Sequence, residues 1–146
     1  MLPINKTISM IERCNLLYRN HVFKTYNLRG YQASFLIEIR KNQGLSQEQL
    51  TATMHIDKSN VARGVEHLRQ LGYVNKVTDE SDRRVTRLFL TDEGEKLVEQ
   101  IKGILKDQRK ELMKDFDEEE ERLLLSLLKK LQLRAEILCE EVGKEQ

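Results

Sequence analysis

The residues with the clearest chemistry lie on one predicted helix in the middle of the chain. Its polar face carries side chains suited to base edges in a DNA groove: Ser59, Asn60, Arg63 and His67. Arginine can donate to O6 and N7 of guanine, and asparagine can pair with adenine. Lys58, in the first turn, suits a phosphate, as do Ser46 and Gln47 at the start of the preceding helix. A merely solvated helix face is the alternative interpretation.

A second group of cations lies in a predicted β-hairpin. Arg83 and Arg84 directly follow Asp82 near its tip, and Arg87 lies on the return strand. Guanidinium groups on a projecting hairpin suit the negative potential of a narrow minor groove. The alternative is a surface turn with local salt bridges, in which Asp79 or Asp82 orients one of the arginines.

Short helices and a hairpin must position these groups. Ser46 and Gln49 have the spacing of a capping box, which predicts a short helix. After a tight turn, Asp57 caps the helix with the polar face. After Gly72 the hydrophobic period changes from about 3.6 to about 2, which predicts a hairpin over residues 73–90 with strands at 73–77 and 84–90. Helix, turn, helix and hairpin together predict a winged helix-turn-helix.

The flanks of this segment are predicted to be helical, which makes the fold mainly α. We divide the chain into an N-terminal helix (1–28), the DNA-binding domain (29–90, wing 73–90) and two C-terminal helices (91–146). The N-terminal helix is expected over 5–25, and the C-terminal pair over 92–114 and 118–141. The last helix carries a heptad-spaced stripe that includes Leu124, Leu128, Leu131 and Leu138. This stripe is wider than one neighbour needs, so it predicts dimerisation through the terminal helices; an intramolecular bundle is the alternative.

Composition excludes several classes of protein. The 146 residues contain no apolar run longer than three, which argues against a membrane span or a secretory signal. We therefore expect a cytoplasmic protein with Cys14 and Cys139 reduced. The histidines lack metal-ligand spacing, and no catalytic motif is present, so we expect neither a metal, a cofactor nor an enzyme. The net charge is +3 for residues 1–39, +3 for 40–90 and −5 for 91–146. Residues 1–90 are therefore the part of the chain suited to binding a polyanion.

Four segments resemble the MarR (multiple antibiotic resistance regulator) family of bacterial transcription regulators. The most specific are residues 79–84 (Asp-Glu-Ser-Asp-Arg-Arg) and 88–94 (Leu-Phe-Leu-Thr-Asp-Glu-Gly). Residues 57–61 and 71–74, which begin and end the predicted recognition helix, also match. The resemblance extends over about residues 8–142.

The resemblance implies a homodimeric repressor that binds a pseudo-palindromic operator on double-stranded DNA. It places Arg84 in the minor groove with Arg83 assisting, and Arg63 in the major groove. Two recognition helices about 34 Å apart would match one turn of DNA. The alternative function is a winged-helix module that contacts proteins without specific DNA binding.

The resemblance also implies release from DNA by a small ligand or an oxidant. Cys14 lies in a segment that resembles the reactive-cysteine region of the peroxide-sensing branch, so it is a candidate redox sensor; a buried structural thiol is the alternative. A candidate ligand cleft is lined by aromatic side chains, which core packing would explain equally: Tyr18, Phe23, Tyr31 and Phe35.

Overall fold

The computed structural model describes residues 3–144, and this part of the chain is mainly helical. Its elements, in chain order, are α1 (Ile4–Val22), a 3-10 turn (Lys24–Tyr26), α2 (Gln32–Lys41), α3 (Gln47–Met54), α4 (Lys58–Gln70), β1 (Val74–Thr78), β2 (Thr86–Leu90), α5 (Asp92–Leu112) and α6 (Glu118–Lys144). The predicted fold class, a mainly α winged helix-turn-helix with helices at both ends, is confirmed.

The chain divides into two compact units between Ile104 and Leu105, within α5. The first unit has a core built from α2, α3, α4, both strands and the first part of α5. Its most completely buried side chains include Leu36, Ile39, Leu50, Val61, Val65, Leu68, Val74, Leu88, Val98 and Ile101. Each such side chain contributes about 1.5–3 kcal/mol on burial, so this core stabilises the packing of the helix-turn-helix against the hairpin.

The second unit contains the end of α5 and the whole of α6. No described residue of α6 is buried, although the helix is 27 residues long. Asp117 begins α6 with a capping box: its Oδ1 accepts from the Glu120 backbone at 2.8 Å, and Glu120 Oε2 accepts from the Asp117 backbone at 3.0 Å. The cap was predicted at this residue; the helix continues to Lys144, beyond the predicted end at 141.

The helix-turn-helix forms through the predicted local signals. Ser46 Oγ accepts from the Gln49 backbone N–H at 3.0 Å, and Gln49 Oε1 accepts from the Ser46 N–H at 2.8 Å. His55 ends α3 in the left-handed conformation, with φ of 51°. Asp57 Oδ1 then accepts from the first N–H groups of α4, at 2.9 and 3.2 Å. These bonds satisfy backbone donors that a helix start leaves unpaired.

The wing is an antiparallel hairpin whose register runs from Val74 opposite Leu90 to Thr78 opposite Thr86. Its second strand begins at Thr86, not at 84 as predicted. The reason is local: the Asp82 carboxylate accepts from the Arg84 N–H at 3.1 Å, and the Asp82 carbonyl accepts from the Val85 N–H at 3.0 Å. These bonds keep residues 82–85 in a turn, so Arg84 lies at the tip and not on a strand.

Helix α1 ends at Val22, earlier than the predicted residue 25. The chain turns there because the Phe23 carbonyl accepts from the backbone N–H groups of Tyr26 and Leu28. No residue of α1 is buried. None of the described helices is both long enough and apolar enough to cross a membrane.

Candidate nucleic-acid interface

The outer face of α4 carries the four residues predicted to contact bases. Ser59, Asn60 and Arg63 are exposed, and His67 is half-buried. The Arg63 guanidinium donates to the Asn60 side-chain oxygen. This bond holds the two side chains together on the exposed face, where both retain further donors for a ligand.

His67 differs from the other three because the protein holds its ring. Its Nδ1 lies 2.9 Å from the side-chain oxygen of Gln32, the first residue of α2. Burial, and secondarily the positive charge of Arg29, lower the pKa of His67 below its usual value. The ring is therefore neutral over a wider pH range than an exposed histidine.

The residues predicted to contact the DNA backbone are brought together by the fold. Ser46, Gln47 and Lys58 line one cavity of about 430 Å³. Arg84 lines the same cavity, so the starts of α3 and α4 and the tip of the wing share one surface. The positive dipole end of each helix start suits a phosphate.

The wing arginines fall into two kinds. Arg83 is exposed, and the side chain of Arg84 is 92% exposed, with its Nε 3.1 Å from Asp82. Arg87 is instead held by the protein: its Nε donates to Asp79 at 2.6 Å, and its Nη1 donates to the Gly44 carbonyl at 3.0 Å.

The acidic residues of the wing organise its tip. Asp79 Oδ1 accepts from the Ser81 hydroxyl and from the Ser81 and Asp82 N–H groups. The Ser81 hydroxyl and then Arg87 hold the pKa of Asp79 far below its usual value. The bond from Arg84 similarly lowers the pKa of Asp82. Both aspartates therefore remain ionised and act as fixed acceptors that shape the turn.

The four aromatic residues predicted to form a ligand cleft do not meet in one place. Phe23 is 2% exposed and belongs to the core, whereas Tyr18 is exposed on α1. Tyr31 and Phe35 do line one cavity, of about 520 Å³, together with Arg29, Asn60, Arg63 and His67. Tyr31 also donates its hydroxyl to Glu12 at 2.8 Å, which raises the Tyr31 pKa.

The remaining predicted residues lie on α1 and α6. Cys14 and Cys139 form no disulfide and both are exposed in the single chain, so the alternative of a buried Cys14 does not hold there. Leu128 and Leu138 are exposed, and Leu124 and Leu131 are half-buried. Among the residues that the structure describes, no cluster of metal-ligating side chains is found.

Comparison with known proteins identifies the family. A family model described as the MarR family matches residues 26–85. The HTH-type transcriptional regulator BilQ of Clostridioides difficile is 31% identical over 120 residues, which cover 79% of this chain and 81% of BilQ. The chain belongs to the MarR family.

Solved structures agree with this assignment. An uncharacterised SlyA-like transcription regulator from Listeria monocytogenes superimposes with a TM-score of 0.93 at 28% identity, covering 99% of this chain and 96% of that one. A putative MarR family regulator from the same organism, solved in complex with a 26-mer DNA, gives a TM-score of 0.90 at 28% identity and the same coverage. MarR proteins are transcriptional regulators and not enzymes, as the sequence predicted for this chain.

Sequence reasoning missed two groups that support this surface. Gln32, which holds His67, and Gly44, whose carbonyl receives Arg87, are both distant in sequence from their partners. Gly44 carried a signal, since a glycine after α2 predicts a left-handed residue, and its φ is 90°. Gln32 carried none, because a glutamine at the start of a helix is ordinarily solvated.

Proposed function

We propose that this MarR-family chain is a homodimeric repressor that binds a pseudo-palindromic operator in the cytoplasm. The observation that carries the proposal is the shared surface of α3, α4 and the wing. Lys58 of α4 lies there with Arg84, and the Asp82 turn presents Arg84 outward. Ser59, Asn60 and Arg63 are exposed on the same helix. In this proposal, α4 enters the major groove and Arg83 and Arg84 reach the minor groove.

The dimer is supported by apolar surface that the single chain leaves uncovered. Helix α1 exposes Ile8 and Ile11, and α6 exposes Leu123, Leu128 and Leu138, the last at 58%. Large apolar patches exposed on a protein surface mark sites of association. A second copy provides a matching apolar surface and places two recognition helices on one operator.

Release of the operator is proposed to follow a small ligand or an oxidant. The cavity beside Tyr31 and Phe35 supports a ligand, because it also contains Asn60 and Arg63 of the DNA-facing helix. The resemblance of the Cys14 segment to a peroxide-sensing branch supports an oxidant. Peroxide treatment of DNA complexes of wild type and Cys14→Ser separates the two: release from both proteins excludes Cys14 as the sensor.

The deciding experiment measures binding to fluorescently labelled duplex from upstream of the protein's own gene, against a scrambled duplex, over a salt series. We expect selective binding and a steep fall in affinity with salt, since phosphate contacts release counterions. Arg84→Ala should weaken binding and, because each dimer carries two copies of Arg84, reduce the salt slope by about 2.

The matched control is Arg122→Ala, which removes an exposed arginine from α6. It should leave both the affinity and the salt slope unchanged. If wild type binds both duplexes weakly and equally, the measurement is repeated with duplexes selected from a random library. Weak and equal binding there as well would contradict the proposal and favour a winged helix that binds protein.

A further inference from the structure

The side chain of Gln32 links the segment between α1 and α2 to the recognition helix. Gln32 is only 7% exposed. Its Oε1 accepts from the Arg29 backbone N–H at 3.2 Å and lies 2.9 Å from Nδ1 of His67. One buried oxygen therefore contacts two nitrogen atoms from different parts of the chain.

These contacts determine which nitrogen of His67 carries the proton. A backbone N–H can only donate, so the atom of Gln32 that faces Arg29 must be the amide oxygen and not the NH₂ group. That oxygen can only accept, so Nδ1 of His67 must be its donor. In the neutral ring Nε2 is then left with a lone pair and can only accept a hydrogen bond.

The surroundings favour the neutral ring. The lining of the adjacent cavity contains two cations, Arg29 from the segment before α2 and Arg63 from α4, and no described carboxylate. The other titratable group of that lining is Tyr31, whose hydroxyl is bonded to Glu12. Glu66, next to His67 on α4, is paired with Arg69 and Lys76.

We propose that Gln32 is a positioning residue for base recognition, which fixes His67 as the Nδ1–H tautomer so that Nε2 accepts from the amino group of adenine or cytosine. The inference rests on the proposed function, in which α4 lies in the major groove. There the amino groups N6 of adenine and N4 of cytosine are the donors, whereas guanine offers only acceptors. Arg63 and His67 on the same face would therefore select different bases.

The first test observes the tautomer without DNA. Long-range ¹H–¹⁵N spectra of ¹⁵N-histidine-labelled protein, recorded well above the histidine reference pKa of about 6.5, distinguish Nδ1–H from Nε2–H. We expect Nδ1–H for His67 in wild type and in the control Gln70→Leu, which removes an exposed glutamine from the same helix. Gln32→Leu should lose this preference. An Nε2–H ring in wild type, or Nδ1–H retained in Gln32→Leu, overturns the inference.

The second test selects duplexes from a random library with wild type, His67→Ala, Gln32→Leu and Gln70→Leu. We expect wild type and Gln70→Leu to prefer adenine or cytosine at one position of each half-site, about 2- to 12-fold over guanine, as one hydrogen bond allows. His67→Ala and Gln32→Leu should lose the preference at that position only. A selected sequence with no such position overturns this inference and leaves the proposed function standing. Failure of wild type to select any sequence overturns the proposed function itself.

A conservative variant keeps the test valid if Gln32→Leu does not fold. Gln32→Glu retains an acceptor for Arg29 and His67, but its negative charge favours the protonated ring. Protonation turns Nε2 into a donor, so the preference for adenine or cytosine should disappear at a higher pH than in wild type. An unchanged pH profile in Gln32→Glu would contradict the assignment.

Discussion

Gly94 offers the sharpest test of how the wing is joined to the helix that follows it. It lies in the first turn of α5, where an added Cβ would come closer than 3.0 Å to the carbonyl oxygen of Tyr73 and 3.2 Å from its carbon. That oxygen precedes β1 and accepts from the Thr91 N–H at 3.0 Å. Thr91 in turn donates its hydroxyl to the Gly72 carbonyl and accepts from the Gly94 N–H. Gly94 thus permits a backbone contact at the base of the wing.

The substitution Gly94→Ala should destabilise the protein although alanine is the better helix former. The gain in helix propensity is at most about 1 kcal/mol. Overpacking costs about 1–3 kcal/mol, and the high end applies because the obstructing atom is backbone and cannot rotate away. Disturbing the Thr91 cap costs about 1 kcal/mol more. We expect a net loss of about 2–3 kcal/mol in the free energy of unfolding.

The matched control is Gly103→Ala on the same helix. Gly103 has no atom within 4 Å of the added Cβ, so alanine should stabilise by about 0.5–1 kcal/mol. Urea unfolding of both variants, followed by helical circular dichroism at one protein concentration, gives the two free energies. Opposite signs support the geometry. A Gly94→Ala protein as stable as Gly103→Ala would refute the close approach of Tyr73.

Three further predictions concern the DNA-binding unit. Asp57→Ala should lose about 1 kcal/mol in urea unfolding because α4 loses its cap, and Asp57→Ser should recover most of it. Leu50→Ala should lose about 2–5 kcal/mol in the same assay, since Leu50 is completely buried, whereas Leu17→Ala, at an exposed leucine of α1, should not lose that much. Folding lowers the pKa of Asp79, so its carboxylate stabilises the folded protein above the unfolded pKa of about 3.9. This contribution to the free energy of unfolding is lost as pH falls toward the folded pKa. The thermal midpoint of wild type should therefore fall more steeply with acid than that of Asp79→Asn, and parallel curves would contradict this.

The helix-turn-helix was predictable because its signals are local. The capping box of Ser46 and Gln49 and the cap by Asp57 each act within four residues, and the structure contains the corresponding hydrogen bonds. Val61, Val65 and Leu68 recur along α4 at intervals of four and three residues, as one helix face requires, and all three are fully buried. Signals of this kind depend only on the backbone conformation of one element, so sequence alone specifies them.

The side-chain contacts between elements were not predictable in the same way. His67 was assigned to the polar face from helical spacing, which is correct, but spacing does not show that Gln32, 35 residues away, holds its ring. Aromatic residues at helical spacing were likewise grouped into one cleft, yet Phe23 packs in the core while Tyr31 reaches Glu12. In each case the partner comes from another element, and the pairing depends on how the elements pack.

The wing shows what this difference means for recognition. Arg84 and Arg87 are the same residue type three positions apart, and both were predicted to contact DNA. In the structure Arg84 has one exposed carboxylate partner within the same turn, so it can exchange that partner for a phosphate or a base edge at little cost. Arg87 would have to leave both Asp79 and the Gly44 carbonyl. Backbone hydrogen bonds of Leu88 with Gly44 and Leu45 also attach this part of the wing to the segment before α3. The second strand of the hairpin is therefore attached to the segment before α3, whereas Arg84 at the tip remains exposed and free to change partners.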